Sequence, residues 1–152
     1  MLALAACDNP SDYLPKQAPG AAAPTPPSLA DVQALRTVLR SCERAMEAGS
    51  DDIAQIAASA QAPPQPTLIL KARDSCASAA EAIGRLPIWG RLKDPCQQAA
   101  NTRMVVATGA LEVAEGKAIT LGVEALRNKI ADQAAASRAC ASEITAAEMA
   151  AG

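Results

Sequence analysis

Apolar residues recur every three or four positions through most of the chain. That is the spacing of one helix face, not the strict alternation of a half-buried strand. After Ser28 the stripe runs Leu29, Val32, Leu35, Leu39, Cys42 and Met46, with Arg36, Arg40, Glu43 and Glu47 off it. Ser28 is a good N-cap, Asp31 favours a helix start three residues on, and Gly49 is a natural left-handed stop. The pattern predicts a first helix ending at Gly49. Ser50 then caps a short second helix over 51–61, with Ile53, Ile56, Ala57 and Ala60 on its apolar face. Pro63, Pro64 and Pro66 break the chain after it.

A third helix is expected from about Thr67 to Leu86, turning Ile69, Ala72, Cys76, Ala79 or Ala80, and Ile83 inward. Residues 86–90 read as a turn. Asp94 followed by Pro95 restarts helix, with an N-cap acid and proline at the first helical position. The fourth helix carries Cys96, Ala100, Met104, Ala107, Leu111 and Ala114 on one stripe. Gly116 interrupts that phase. The next stripe is Ile119, Val123, Leu126, Ile130, Gln133, Ser137, Cys140 and Ile144, offset by one residue. A tight reversal into a fifth helix, running to about Met149, explains the offset. One continuous helix kinked at Gly116 is the other reading.

Composition agrees with helix. Half of the residues are hydrophobic, yet there is no Phe, one Trp and one Tyr. Ala and Leu dominate, and β-branched or aromatic strand runs are scarce. The expected fold is all-α, an antiparallel bundle of four long helices plus one short helix, stapled by two disulfides. A net charge of -2 gives no general basic face for nucleic acid. Without any His, the commonest metal ligand and the side chain titrating nearest neutrality are both missing. There is no Gly-rich phosphate loop and no nucleophile elbow. No catalytic activity, cofactor or metal is expected.

Of the five cysteines, Cys42, Cys76, Cys96 and Cys140 each lie on the apolar stripe of a separate helix. Helical rise of about 1.5 Å per residue sets their heights in an up-down-up-down bundle. With the first helix ending near Ala48, Cys42 and Cys76 fall within about one turn of each other. Cys96, starting the fourth helix, and Cys140, near the end of the fifth, fall together at the opposite end. Joining Cys76 to Cys96 would span a vertical gap of about 15 Å, outside disulfide reach. The pairing expected is Cys42 with Cys76 and Cys96 with Cys140. Each bridge closes a loop of about 35–45 residues, stabilising by about 3–4 kcal/mol.

Cys7 is the odd cysteine. Leu4-Ala5-Ala6-Cys7 resembles the lipobox of bacterial lipoproteins, in which cleavage before the cysteine leaves it as the lipid-bearing N-terminus. The resemblance implies that residues 1–6 are a signal-peptide remnant and that Cys7 anchors the chain to a bilayer. It places the chain at the bacterial cell envelope, facing the periplasm. Aspartate after the cysteine, here Asp8, implies inner-membrane retention in enteric lipoproteins; elsewhere the choice of membrane stays open. Six prolines between Asp8 and Pro27 should keep 7–27 an extended, solvated linker, leaving 28–150 as the helical domain.

Three features could carry function. The turn with Arg85, Ile88, Trp89, Arg91 and Lys93 combines the single Trp with basic residues at the tether end. It suits contact with an anionic bilayer or a partner protein. Alternatively Leu86, Ile88, Trp89 and Leu92 plug the bundle's open end. The 51–61 helix reads as a lid or docking arm, or as a packed connector. Glu112, Glu115 and Glu124 read as a solvated face. The function expected is a non-catalytic, membrane-tethered module of an envelope assembly such as secretion, conjugation or surface exclusion. The alternative is a small-ligand or inhibitor-type binding protein using a groove between helices.

Overall fold

In a computed structural model of the chain, residues 26–60, 66–88, 90–117 and 122–152 are described. They form four helices, α1 (Leu29–Ser59), α2 (Thr67–Arg85), α3 (Gly90–Ala114) and α4 (Gly122–Ala151), with no strand among the described residues. Each helix runs antiparallel to the next. Gly49, late in α1, lies against Leu68 at the start of α2. Gln97, early in α3, donates from Nε2 to the Ala80 carbonyl of α2 at 3.0 Å. Gly109 of α3 lies against Lys129 of α4. The fold is the expected all-α bundle with its two bridges, Cys42–Cys76 and Cys96–Cys140.

The start of α1 follows from its sequence. The Ser28 hydroxyl accepts from the Asp31 N–H at 3.2 Å, and the Asp31 carboxylate accepts from the Ser28 N–H at 2.7 Å. That is a reciprocal capping box, here closed by Asp. Its hydrogen bonds, the backbone one first, hold the Asp31 carboxyl below its usual range.

The count of helices differs from the expected one. There is no separate short helix over 51–61, because α1 continues unbroken through Gly49 and Ser50 to Ser59. The apolar phase is what carries it through. Gly49, Ile53, Ile56 and Ala57 continue the stripe of Leu35, Leu39, Cys42 and Ala45, and all are buried. Ser50 Oγ bonds back to the Glu47 carbonyl at 2.8 Å and caps nothing. Gly49 serves close approach, since a Cβ there would lie 3.5 Å from the Leu68 carbonyl oxygen. The true stop is Ala60, at φ 56°, a left-handed conformation unusual for a residue with a Cβ.

The other helix ends divide between expected and unexpected. α2 closes where Leu86 turns extended, as a residue preceding proline is pushed to do. α3 begins at Gly90, four residues ahead of the expected Asp94 cap, so Pro95 lies inside it. Leu92 explains the extra turn. It lies one helical turn before Cys96 on the same stripe, and it is buried. At its far end α3 closes with a Schellman pair: Lys117 N–H to the Glu112 carbonyl and Gly116 N–H to the Val113 carbonyl, at 3.1 Å each. Gly116 has φ 72°, and α4 returns antiparallel, so Gly116 is a reversal and not a kink.

Longer helices also move the bridges. Cys42 sits near the middle of α1 and Cys96 about a turn and a half into α3, so their heights differ less than expected. All four cysteines share one hydrophobic cluster with Val32, Leu35, Leu39, Ile83 and Leu92. A second cluster, built on Ile53, Ile56, Ile69, Val106, Leu111 and Leu126, fills the other end. The expected pairing is correct, but height does not select it. What selects it is which seam each cysteine faces: α1 with α2, α3 with α4. Removing one bridge by Cys96→Ala with Cys140→Ala should lower unfolding free energy by about 3–4 kcal/mol in urea titrations. Gly49→Ala should raise it by about 0.5–1 kcal/mol, since the methyl fits and helix propensity improves.

Candidate functional site

The turn that holds Leu86 and Ile88 is partly a plug. Leu86 and Ile88 are half-buried against the cysteine-bearing cluster, and Leu92 is fully buried within it. Trp89 and Cys7 lie outside the described residues. Of the basic side chains, Arg85 pairs with Glu81 on its own helix, and Arg91 reaches Glu143 of α4 at 3.3 Å. Lys93 is half-buried. The structure thus keeps Arg85, Ile88, Arg91 and Lys93 at one end but matches two of the three cations with the protein's own carboxylates. Pro26 and Pro27 arrive at that same end. With Leu92, Glu143 and Ala147 they line a hollow of about 170 Å³.

Glu112, Glu115 and Glu124 do not assemble a site; Glu115 pairs with Lys117 at 2.7 Å at the exposed reversal. The segment 51–59 packs as the last turns of α1, neither lid nor arm, and Arg127 of α4 donates to the Ala57 carbonyl at 2.9 Å.

The main concavity lies elsewhere. α1 meets α4 over a shorter stretch than the sequence-adjacent helices meet each other, and α3 touches α1 as well. A cleft opens along that seam in two chambers that share Glu43 and Arg103. One, of about 270 Å³, is lined by Arg36 and Arg40 of α1, Arg103 of α3, and Ser137, Ile144 and Thr145 of α4. The other, of about 370 Å³, is lined mainly by Met46, Ile53, Ala54, Ile130 and Gln133, with Glu47 and Ser50 at its rim.

Arg103 is the unexpected residue. It stands one turn from both Ala99 and Ala107 on the buried stripe of α3, and its side chain is only 12% exposed. The nearest carboxylate, Glu43, is 3.7 Å away and 51% exposed, beyond hydrogen-bond distance. Burial pushes the Arg103 guanidinium below its ordinary value, and Glu43 offsets this in part. Ser137 Oγ is buried without a hydrogen-bond partner among the described residues. Arg36 is engaged by Glu148 at 2.6 Å, whereas Arg40 has no ion pair among the described residues. The signal for this site was present in the stripes. Gln133 and Ser137 interrupt the apolar face of α4, and Arg103 falls in phase with small buried residues.

No family model, no curated protein and no solved structure matches the chain. Among the described residues no helix is long and apolar enough to cross a membrane. A buried hydroxyl without a partner costs about 1–3 kcal/mol of desolvation. Ser137→Ala should therefore leave the fold intact and raise its thermal midpoint slightly, as read by circular dichroism.

Proposed function

We propose that the chain is a non-catalytic lipoprotein module of the bacterial cell envelope. Cys7 carries the lipid, 7–27 is the spacer, and the periplasm-facing bundle presents its surface to a protein of a secretion, conjugation or surface-exclusion assembly. What carries the reading is the cysteine arrangement. Four cysteines are consumed in two buried bridges, as suits an oxidising compartment, and Cys7 is left over within the lipobox-like Leu4-Ala5-Ala6-Cys7. The arrival of Pro26 and Pro27 beside Leu92 adds to it, because it sets the turn with Arg85, Ile88 and Lys93 at the tether end. A second reading, a small-ligand binding protein, is favoured by one observation: the cleft over Arg103.

The first reading is tested in cells producing the full chain and its Cys7→Ser variant, fed an alkyne fatty acid. The parent should take up label and sediment with membranes, and the variant should do neither. A photocrosslinking residue at Lys93 should then trap one defined envelope protein from the parent and not from Cys7→Ser. Equal labelling of both forms removes the anchor, and a parent that traps nothing at Lys93 removes the tether-end contact.

A further inference from the structure

The two chambers along the α1–α4 seam differ in chemistry, and the difference is directional. Towards the tether end stand Arg36, Arg40 and Arg103 with the unpartnered Ser137 hydroxyl. Towards the far end the walls are Met46, Ile53, Ala54 and Ile130. Resting on the small-ligand reading, we propose that this cleft binds a monoanionic amphiphile, a carboxylate on an unbranched alkyl chain. Its head lies against Arg40, Arg103 and Ser137, and its tail lies along Met46, Ile53 and Ile130.

Placement of charge fixes the sign. Arg36 is taken by Glu148, Arg103 is balanced loosely by Glu43 at 3.7 Å, and Arg40 has no ion pair among the described residues, while Glu47 stands at the rim of the other chamber. A single carboxylate fits between Arg40 and Arg103. Among the described residues the Arg103 guanidinium, 12% exposed, makes no hydrogen bond, and a carboxylate takes its donors in a bidentate fork. Glu43, half-exposed at 3.7 Å, yields its place by turning outward. Ser137 Oγ is buried without a partner in the wall of the same chamber, and rotation about its Cα–Cβ bond brings it to the second carboxylate oxygen.

Shape fixes the tail. The second chamber continues from Arg103 between α1 and α4 and is chiefly apolar, with Gln133 in its wall and Glu47 and Ser50 at its rim. At about 270 and 370 Å³ the chambers together fall within the usual range for small-ligand pockets, about 300–1,000 Å³. Its apolar walls come from Met46 and Ile53 on α1 and Ile130 on α4, and an alkyl chain fits between them. An acidic peptide satisfies the arginines but leaves the apolar chamber unfilled.

The test is calorimetric titration of the full, disulfide-bonded chain with decanoate below its micellar concentration. Decanol, acetate and an acidic peptide serve as parallel ligands. Decanoate should bind once per chain and shift the amide resonances of Ala54, Ile130 and Ser137, with acetate and peptide much weaker. Arg103→Gln should weaken decanoate by about tenfold or more, as expected for loss of a charge-assisted hydrogen bond pair. Arg40→Gln, at an exposed position that leaves the core untouched, should weaken it about threefold. Should Arg103→Gln fail to fold, Arg40→Gln decides. Unchanged affinity in the deciding variant overturns the proposal, as does binding of the peptide in place of decanoate. Decanol binding as tightly as decanoate leaves the small-ligand reading standing and sinks the anionic head. Failure of every ligand removes both.

Discussion

Two sulfur bridges hold α1 to α2 and α3 to α4 with Cα atoms only 4.4 and 4.6 Å apart, and the packing follows from that closeness. Helices that near each other leave no room for large side chains between them. The cluster that holds the bridges accordingly contains Ala79, Ala80, Ala99 and Ala100, and Gly49 lies against Leu68 across the α1–α2 seam. Small side chains bury little apolar area each, and the chain has no Phe with which to compensate. Covalent closure of two loops supplies what such a core lacks. The cost is dependence on an oxidising compartment, which ties the fold to the location proposed for it.

The same constraint explains the cleft. Each bridge joins a helix to its sequence neighbour, so the bundle consists of two stapled hairpins meeting face to face. The α2–α3 side closes tightly around Gln97 and Ala80. The α1–α4 side is pinned mainly near its ends, by Arg36 with Glu148 and by Arg127 with the Ala57 carbonyl. Between those pins no bridge draws the axes together. There the walls are longer side chains, Met46, Ile53 and Ile130, and the floor is Arg103. The cation on that floor keeps 12% of its side chain exposed and has Glu43 3.7 Å away.

Much of this was legible in the residues. The Ser28–Asp31 cap, the turn after α2, the Gly116 reversal and the stripe of each helix follow from local rules. Two misreadings share one cause. Gly49-Ser50 and Asp94-Pro95 carry the signals of a helix end and a helix start, worth about 1 kcal/mol each. Both are outweighed by burial of the apolar residues beyond them, Ile53 and Ile56 in one case and Leu92 in the other. A buried aliphatic side chain is worth about 1.5–3 kcal/mol, so the stripe wins.

By itself, then, the sequence determined the helical class, the faces the helices bury and the odd cysteine at the front. These depend on periodicity and short-range geometry, which a single chain of residues carries in full. Tertiary structure decided that Gly49 is a point of helix contact, that the bridges share one cluster, and that Arg103 and Ser137 converge. Those facts depend on what stands opposite. A stripe says that a residue faces inward, but only the neighbouring helix says whether it meets a carbonyl, a sulfur or an open cleft.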